Sequence, residues 1–175
     1  SRAGEGVRDG AENMVDVRGA GGFAAVMTDL QLRRVDGDAA HEDIADWQRV
    51  HNTVIPTHFL SLDDVRERAG RHHLELAYLD GVLVGSSTVR PPEDGTGTAT
   101  VIARVLAEHR RRGFGEQLYV RGLERARELG ARVIETVVLE SNPDGLAFAL
   151  KHGFTEVERY LLEGESVPWI DLRLA

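Results

Sequence analysis

From Asp29 to the C-terminus the apolar residues follow two spacings, and each change of spacing marks an element. DLQLRRV (29–35) alternates polar and apolar, as a half-buried strand does. HLELAYL and VLVGSSTV are two further strand-like runs. The Asp80-Gly81 pair between them is a hairpin signal, because both residue types tolerate positive φ. GTATVIARV follows the Pro91-Pro92 break, ARVIETVVL reads as a buried strand, and GFTEVERYLL and VPWIDLRL close the chain. Helical spacings lie between these runs. Asp38 is placed to cap a helix over about 39–53, with Ile44, Trp47 and Val54 among its apolar positions. Ser61 with Asp64 predicts a capping box for a second helix, which Gly70 ends. A third helix spans about 113–129, with Phe114, Leu118, Gly122, Ala126 and Leu129 on one stripe and Gly130 as its stop. Asn142 and Pro143 predict the cap and first residue of a short fourth helix.

This order predicts a mixed α/β (α+β) fold, a mostly antiparallel sheet of about six to seven strands with about four helices. One domain is expected over residues 27–175, and the glycine-rich residues 1–26 read as a tail or extension.

Composition narrows the functions. With 175 residues and 42% hydrophobic content the chain can bury one core. The net charge of -8 disfavours nucleic acid and anionic membrane as partners. There is no cysteine, so thiolate metal sites and cysteine nucleophiles are excluded. The seven histidines lack ligand spacing, and His72 and His73, adjacent on a strand, would face opposite ways, so no metal is expected. No apolar run is long enough to span a bilayer and the start has no signal-peptide core, so the expected location is cytoplasmic.

Against that acidic background, VIARVLAEHRRRGFGEQL (101–118) places three arginines in front of two glycines and a helix start. A strand that feeds a helix leaves unpaired N–H groups at the turn, and the helix dipole adds positive potential there. Glycines at 113 and 115 let an anion approach the backbone, so the pattern points to a phosphate-bearing ligand. A Rossmann dinucleotide site also begins in this way, with Glu135 as its ribose contact. However, Leu118 stands where a third glycine belongs, and the preceding hairpin does not suit a doubly wound sheet.

Arg110-x-x-Gly113-x-Gly115 after a strand ending in Val105 resembles the coenzyme A signature of the GNAT superfamily of N-acetyltransferases. Asn142 and the Lys151-His152-Gly153-Phe154 segment resemble the same family in type and spacing. The resemblance implies acetyl-CoA as co-substrate and a slot where the strand ending at Val105 splays from ARVIETVVL. It implies that the Ala103–Arg104–Val105 stretch offers amides to the thioester and pantetheine arm. Arg110, Arg111, Arg112, Gly113, Phe114 and Gly115 would hold the pyrophosphate, and Asn142 would contact the cofactor arm. Of the strand residues only the amides of 103 and 105 matter in this reading. The Arg104 side chain points the other way, toward an acceptor site or a helix contact.

The implied reaction is acetyl transfer to a primary amine of a small molecule, and the implied oxyanion would be stabilised mainly by backbone amides. The family's usual acid and base are harder to place. TATVIARV carries no carboxylate, and the position of the usual tyrosine is Ala149. Glu140 is the first candidate for the base, ahead of Glu135 and His58, and Tyr160 for the acid. These substitutions keep open a second class of function, a catalytically weak coenzyme A-binding or scaffold domain, such as half of a tandem protein. The acceptor is expected between TVIPTHFLS and the last two strands, on a rim with His58, Thr57, Glu163, Glu165 and Trp169. Pairing of those strands across a two-fold axis leaves a homodimer open.

Overall fold

In the computed structural model, residues 30–93 and 95–174 are described. The predicted tail, residues 1–26, lies outside them. Seven strands form one sheet in the order β1-β2-β3-β4-β5-β7-β6. They are β1 Leu30–Val35, β2 His73–Leu79, β3 Val82–Arg90, β4 Thr98–Val105, β5 Val133–Leu139, β6 Phe154–Tyr160 and β7 Trp169–Leu174. Among the described residues the helices are α1 His41–Val54, α2 Leu62–Arg71, α3 Phe114–Glu128 and α4 Pro143–Lys151, with a 3-10 turn at Ala107–His109. The β4–β5 pair is parallel, and β1–β2, β5–β7 and β6–β7 are antiparallel.

The described chain divides into two compact units. The first contains the residues up to Thr88 and Ala103–Arg121, and the second Val89–Ile102 and the residues from Gly122 on. In the first unit, Asp80 (φ 50) and Gly81 (φ 79) make the expected tight hairpin between β2 and β3. α1 and α2 cover one core, where Ile44, Trp47, Val50 and Val65 pack with Leu74, Leu76 and Leu106. The first half of α3 covers another, where Phe114 and Leu118 pack with Leu30, Ala77 and Val84. The second unit buries Val101, Ile134, Val138, Ile170 and Leu172 along its strands.

Most of the expected starts and stops hold. Ser61 and Asp64 form a reciprocal capping box, and Asn142 caps α4 with Pro143 in its first turn. Others need correction. Asp38 does not cap α1; Ala40 takes that place with no side-chain bond, while Asp36 accepts from the Asp38 amide at 2.9 Å. α2 runs one residue past Gly70, and His72 is its C-cap rather than a strand residue, so only His73 belongs to β2. Leu129 is exposed because α3 ends at Glu128. Gly122, on the predicted stripe, is a close-approach site: a Cβ there would lie 2.5 Å from the Val101 side chain.

Candidate functional site

The opening stretch falls wholly within the first unit, and its shape follows from the chain step by step. Ala103 and Val105 pack toward Phe114 and Leu118. Leu106, on the other face, packs with α1 and α2. Leu106 keeps the strand edge by donating to Val84 O at 2.9 Å, and the 3-10 turn follows. Gly85 lies opposite the Arg104 carbonyl so tightly that a Cβ would collide with it. This is a requirement of the pairing that sequence reading missed, because nothing local to Gly85 announces it.

Beyond the turn the backbone alternates. Arg111 has φ 63 and Gly113 has φ 82, with Arg112 between them outside the positive-φ set. Such alternation gathers successive N–H groups into a concave nest that suits an anion. Gly113 O accepts from Gln117 N at 3.1 Å, which makes Gly113 the N-cap of α3, a cap without a side chain. The amides of Phe114, Gly115 and Glu116 therefore have no carbonyl one turn back. A Cβ on Gly113 would meet nothing within 4 Å, so the loop faces open space. Phe114, 1% exposed, anchors the loop, and the Arg112 guanidinium lies 5.0 Å from the centre of its ring. The Arg110 side chain is turned inward, donating from Nε to Val105 O at 2.9 Å. It ties the loop to the strand end. A loop of this shape can offer amides to an anion such as a pyrophosphate.

The same unit holds two polar clusters that the sequence did not reveal. Glu75, on β2, is 4% exposed and takes two bonds from Arg121 of α3, at 2.7 and 2.9 Å. His73 Nε2 lies 3.4 Å from the same carboxylate. Burial pushes this carboxyl up, but the bonds from His73 and Arg121 outweigh it and hold the group down at about 2. The pair fastens α3 to the sheet.

The second cluster shapes the turn between α1 and α2. Gln48 and Asn52 both donate to Leu60 O, at 2.9 and 3.0 Å, and Leu60 N donates to Asn52 Oδ1 at 2.9 Å. His51, 2% exposed, donates from Nε2 to His58 O at 2.8 Å. That fixes its neutral tautomer, and burial first, then the Arg104 charge, press its pKa down to about 3. Its Nδ1 and the Nε1 of the stacked Trp47 are buried without a hydrogen-bond partner.

The second unit carries the other expected residues. Asn142 Oδ1 accepts from Gly145 N at 3.1 Å, so capping uses its oxygen and leaves the amino group to donate elsewhere. A Cβ on Gly145 would lie 2.6 Å from that amino nitrogen. Glu140 is exposed and bonded to Arg159 at 3.0 Å, and Arg159 also holds Glu156 at 2.9 Å. Tyr160 donates to Asp171 Oδ1 at 3.0 Å, and burial followed by this bond raises its pKa to about 12. Glu140 and Tyr160 thus have different partners and do not meet as a pair. Glu135 is held by Arg173 at 2.7 Å, and Trp169 donates to Glu165 at 2.8 Å. Ala149 is buried, where the family's tyrosine is expected. The parallel register of β4 and β5 covers Thr98–Thr100 with Val133–Glu135, whereas β4 runs on to Val105 and β5 to Leu139. Among the described residues no group of three or more His, Asp or Glu is placed to hold a metal ion, and no helix is long and apolar enough to cross a membrane.

Comparison with known proteins agrees with this geometry. The model of the acetyltransferase (GNAT) family matches residues 37–154. No curated protein matches the chain in sequence. Among solved structures, one provisionally named a phosphinothricin N-acetyltransferase is 22% identical, covers 83% of this chain and 97% of its own, and has a TM-score of 0.66. YncA of Salmonella typhimurium, solved with its cofactor acetyl-CoA, is 17% identical over 83% of this chain and 92% of its own, with a TM-score of 0.64. The ribosomal-protein-alanine N-acetyltransferase of Brucella melitensis is 20% identical over 81% and 97%, with a TM-score of 0.61. With the anion nest in place and the family model spanning most of the chain, this protein belongs to the acetyltransferase (GNAT) family and is an N-acetyltransferase whose co-substrate is acetyl-CoA.

Proposed function

We propose that the protein transfers the acetyl group of acetyl-CoA to the primary amine of a small molecule. The observation that carries the cofactor half of this reading is the loop from Arg110 to Gly115. It alternates positive φ at Arg111 and Gly113 and opens α3 with a cap that has no side chain. In this reading the amides of Arg111 to Gly115 hold the pyrophosphate, and those of Ala103 and Val105 receive the arm and the thioester carbonyl. The Asn142 amino group donates to the arm. The co-substrate supplies an acetyl group already activated as a thioester, and the protein's task is to place donors where negative charge develops.

Proton handling is assigned to Glu140 and Tyr160. Glu140 has to leave Arg159 to collect a proton from the amine, directly or through water. Tyr160 is protonated at neutral pH, but its pKa, raised to about 12, makes its proton harder to give, so it has to leave Asp171 to serve the departing thiolate. A small-molecule acceptor accords with two of the similar structures, one named for phosphinothricin and one for nourseothricin, while the Brucella relative is named for a protein N-terminus.

Calorimetric titration with acetyl-CoA tests the reading. Wild type is expected to bind. Gly113→Val, forced into a positive-φ conformation that a β-branched residue resists by about 1–3 kcal/mol, is expected to lose about 10- to 100-fold in affinity. A panel of small amines, followed through release of the coenzyme A thiol, then tests transfer. Failure of wild type to bind acetyl-CoA overturns the proposal. Acetylation of peptide N-termini alone would overturn its small-molecule half.

A further inference from the structure

We propose that the acceptor is an amine that also carries a carboxylate or similar anionic group, and that the Arg104 side chain receives that group. This rests on the acetyl-transfer reading above and adds the chemistry of its second substrate.

The placement follows from strand alternation. Ala103 and Val105 pack on the α3 side of β4, together with Phe114 and Leu118. Leu106 packs on the opposite side, with Trp47, Val50 and Leu60. Arg104 shares that side with Leu106. Its guanidinium thus extends toward α1 and the α1–α2 turn, from a point between the two amides assigned to the thioester. α3 occupies the other face and α1 and α2 line this one, so in this reading the acceptor lies beside the α1–α2 turn.

This corner is rich in donors, and its leading charge is Arg104. The ionisable groups acting most strongly on His51 are Arg104, Arg68 and His58, and no carboxylate is among them. The carboxylate of Asp64 acts on Arg68 and His58 and is bonded at the Ser61 cap, which leaves Arg104 as the leading charge on His51. Trp47 Nε1–H, on a residue 1% exposed, has no acceptor, and its ring stacks on His51 at 5.8 Å between centroids. An arginine has five N–H donors, so it can serve a neighbour and a ligand together. The turn that frames the corner is held by Gln48, His51 and Asn52, so it presents a fixed surface on which Phe59 is 69% exposed.

The arrangement also bears on the absent strand base. In a free amino acid the carboxylate keeps the neighbouring ammonium protonated. A guanidinium that binds the carboxylate cancels that effect, and its own charge further disfavours the ammonium. The amine then enters closer to its reactive, neutral form. Arg104 would thus do electrostatically part of what a strand base would do by proton transfer.

The test compares amino acids with their amides and with the corresponding decarboxylated amines across the common side chains. Initial rates are one readout. The other is calorimetric binding of N-acetyl amino acids and N-acetyl amino amides in the presence of coenzyme A. Acids are expected to be favoured over amides by about 10- to 100-fold in kcat/KM and in product affinity, the range of a charge-assisted bond. Arg104→Met is expected to erase that preference, and Arg104→Lys to keep part of it. Equal handling of acids and amides by wild type would overturn the assignment while leaving acetyl transfer standing. So would a preference that survives in Arg104→Met. If no amine is acetylated and the N-acetyl acids bind no better than their amides, the assignment also falls. Acetyl-CoA binding then reports separately on the function beneath it.

Discussion

Two stretches of the first unit solve the same problem, holding an irregular backbone in one shape, by opposite means. The loop Arg110–Gly115 is shaped by backbone conformation, with positive φ at 111 and 113, and in the proposed reading its ligand groups are amides. The turn from Ile55 to Ser61 is shaped by side chains from α1, with Gln48 and Asn52 on Leu60 and His51 on His58. A backbone-built site is insensitive to which side chains surround it, provided glycine stands where φ demands it. A side-chain-built turn depends on each clamp. The first suits a co-substrate common to a whole family. The second would suit the proposed acceptor, because changing a few clamps remodels the surface without touching the loop before α3.

The comparison can be broken in several places. The largest effect is expected at the anchor beneath the loop. Glu75→Ala removes the buried carboxylate that takes two bonds from Arg121, and breaking such a buried pair costs about 3–5 kcal/mol. Urea unfolding should show that loss, and acetyl-CoA affinity should fall with it as α3 loosens. A small loss would mean that the pair does not hold the helix.

The next effect is a pH dependence in the turn. The pKa of His51 is pressed from 6.5 to about 3 in the folded chain, so below pH 6.5 the unfolded chain binds a proton that the folded chain refuses. Stability is therefore fully present above about pH 6.5 and falls as pH drops toward 3, by up to about 1.4 kcal/mol per unit. Between pH 7 and pH 5 wild type should lose about 2 kcal/mol more than His51→Met does. Equal slopes would remove His51 from the account of the turn. Glu75 contributes in a different window, since its depressed pKa gives stability that is lost only as pH falls from 4.5 toward about 2.

Asn52→Ala should cost about 1–3 kcal/mol, because the Leu60 amide loses its acceptor in a part-buried setting. It should also raise the acceptor KM more than that of acetyl-CoA, a split that steady-state kinetics would show. The smallest effect is expected from replacing Arg111 and Arg112 together by Gln. If the loop binds through amides, acetyl-CoA affinity should fall only a few-fold, with a salt dependence, as for exposed charges. A loss as large as that of Gly113→Val would turn the loop into a side-chain site and end the contrast.

What could be read in advance divides along the same line. The hairpin at Asp80-Gly81, the capping box at Ser61 and Asp64, the Asn142 cap and the glycine turn that opens α3 were legible, because each is fixed by residues a few positions apart. Strand–helix alternation likewise carried the fold class. Asp38 and Leu129 were misread at element ends, where a one- or two-residue shift changes a residue's role.

By itself, the sequence determined the elements, the glycine loop before α3 and the resemblance to a family, since local φ preferences and apolar spacing act within one or two turns of chain. Only the tertiary structure decided that Glu75 meets Arg121 across 46 positions, that Gly85 makes room for a carbonyl on the next strand, and that His51 is a neutral clamp. It also turned Arg110 inward and placed Arg104 on the side of α1. The reason is physical: burial, pairing and the sign of a local field belong to the surroundings of a residue, and those surroundings come together only when distant parts of the chain pack.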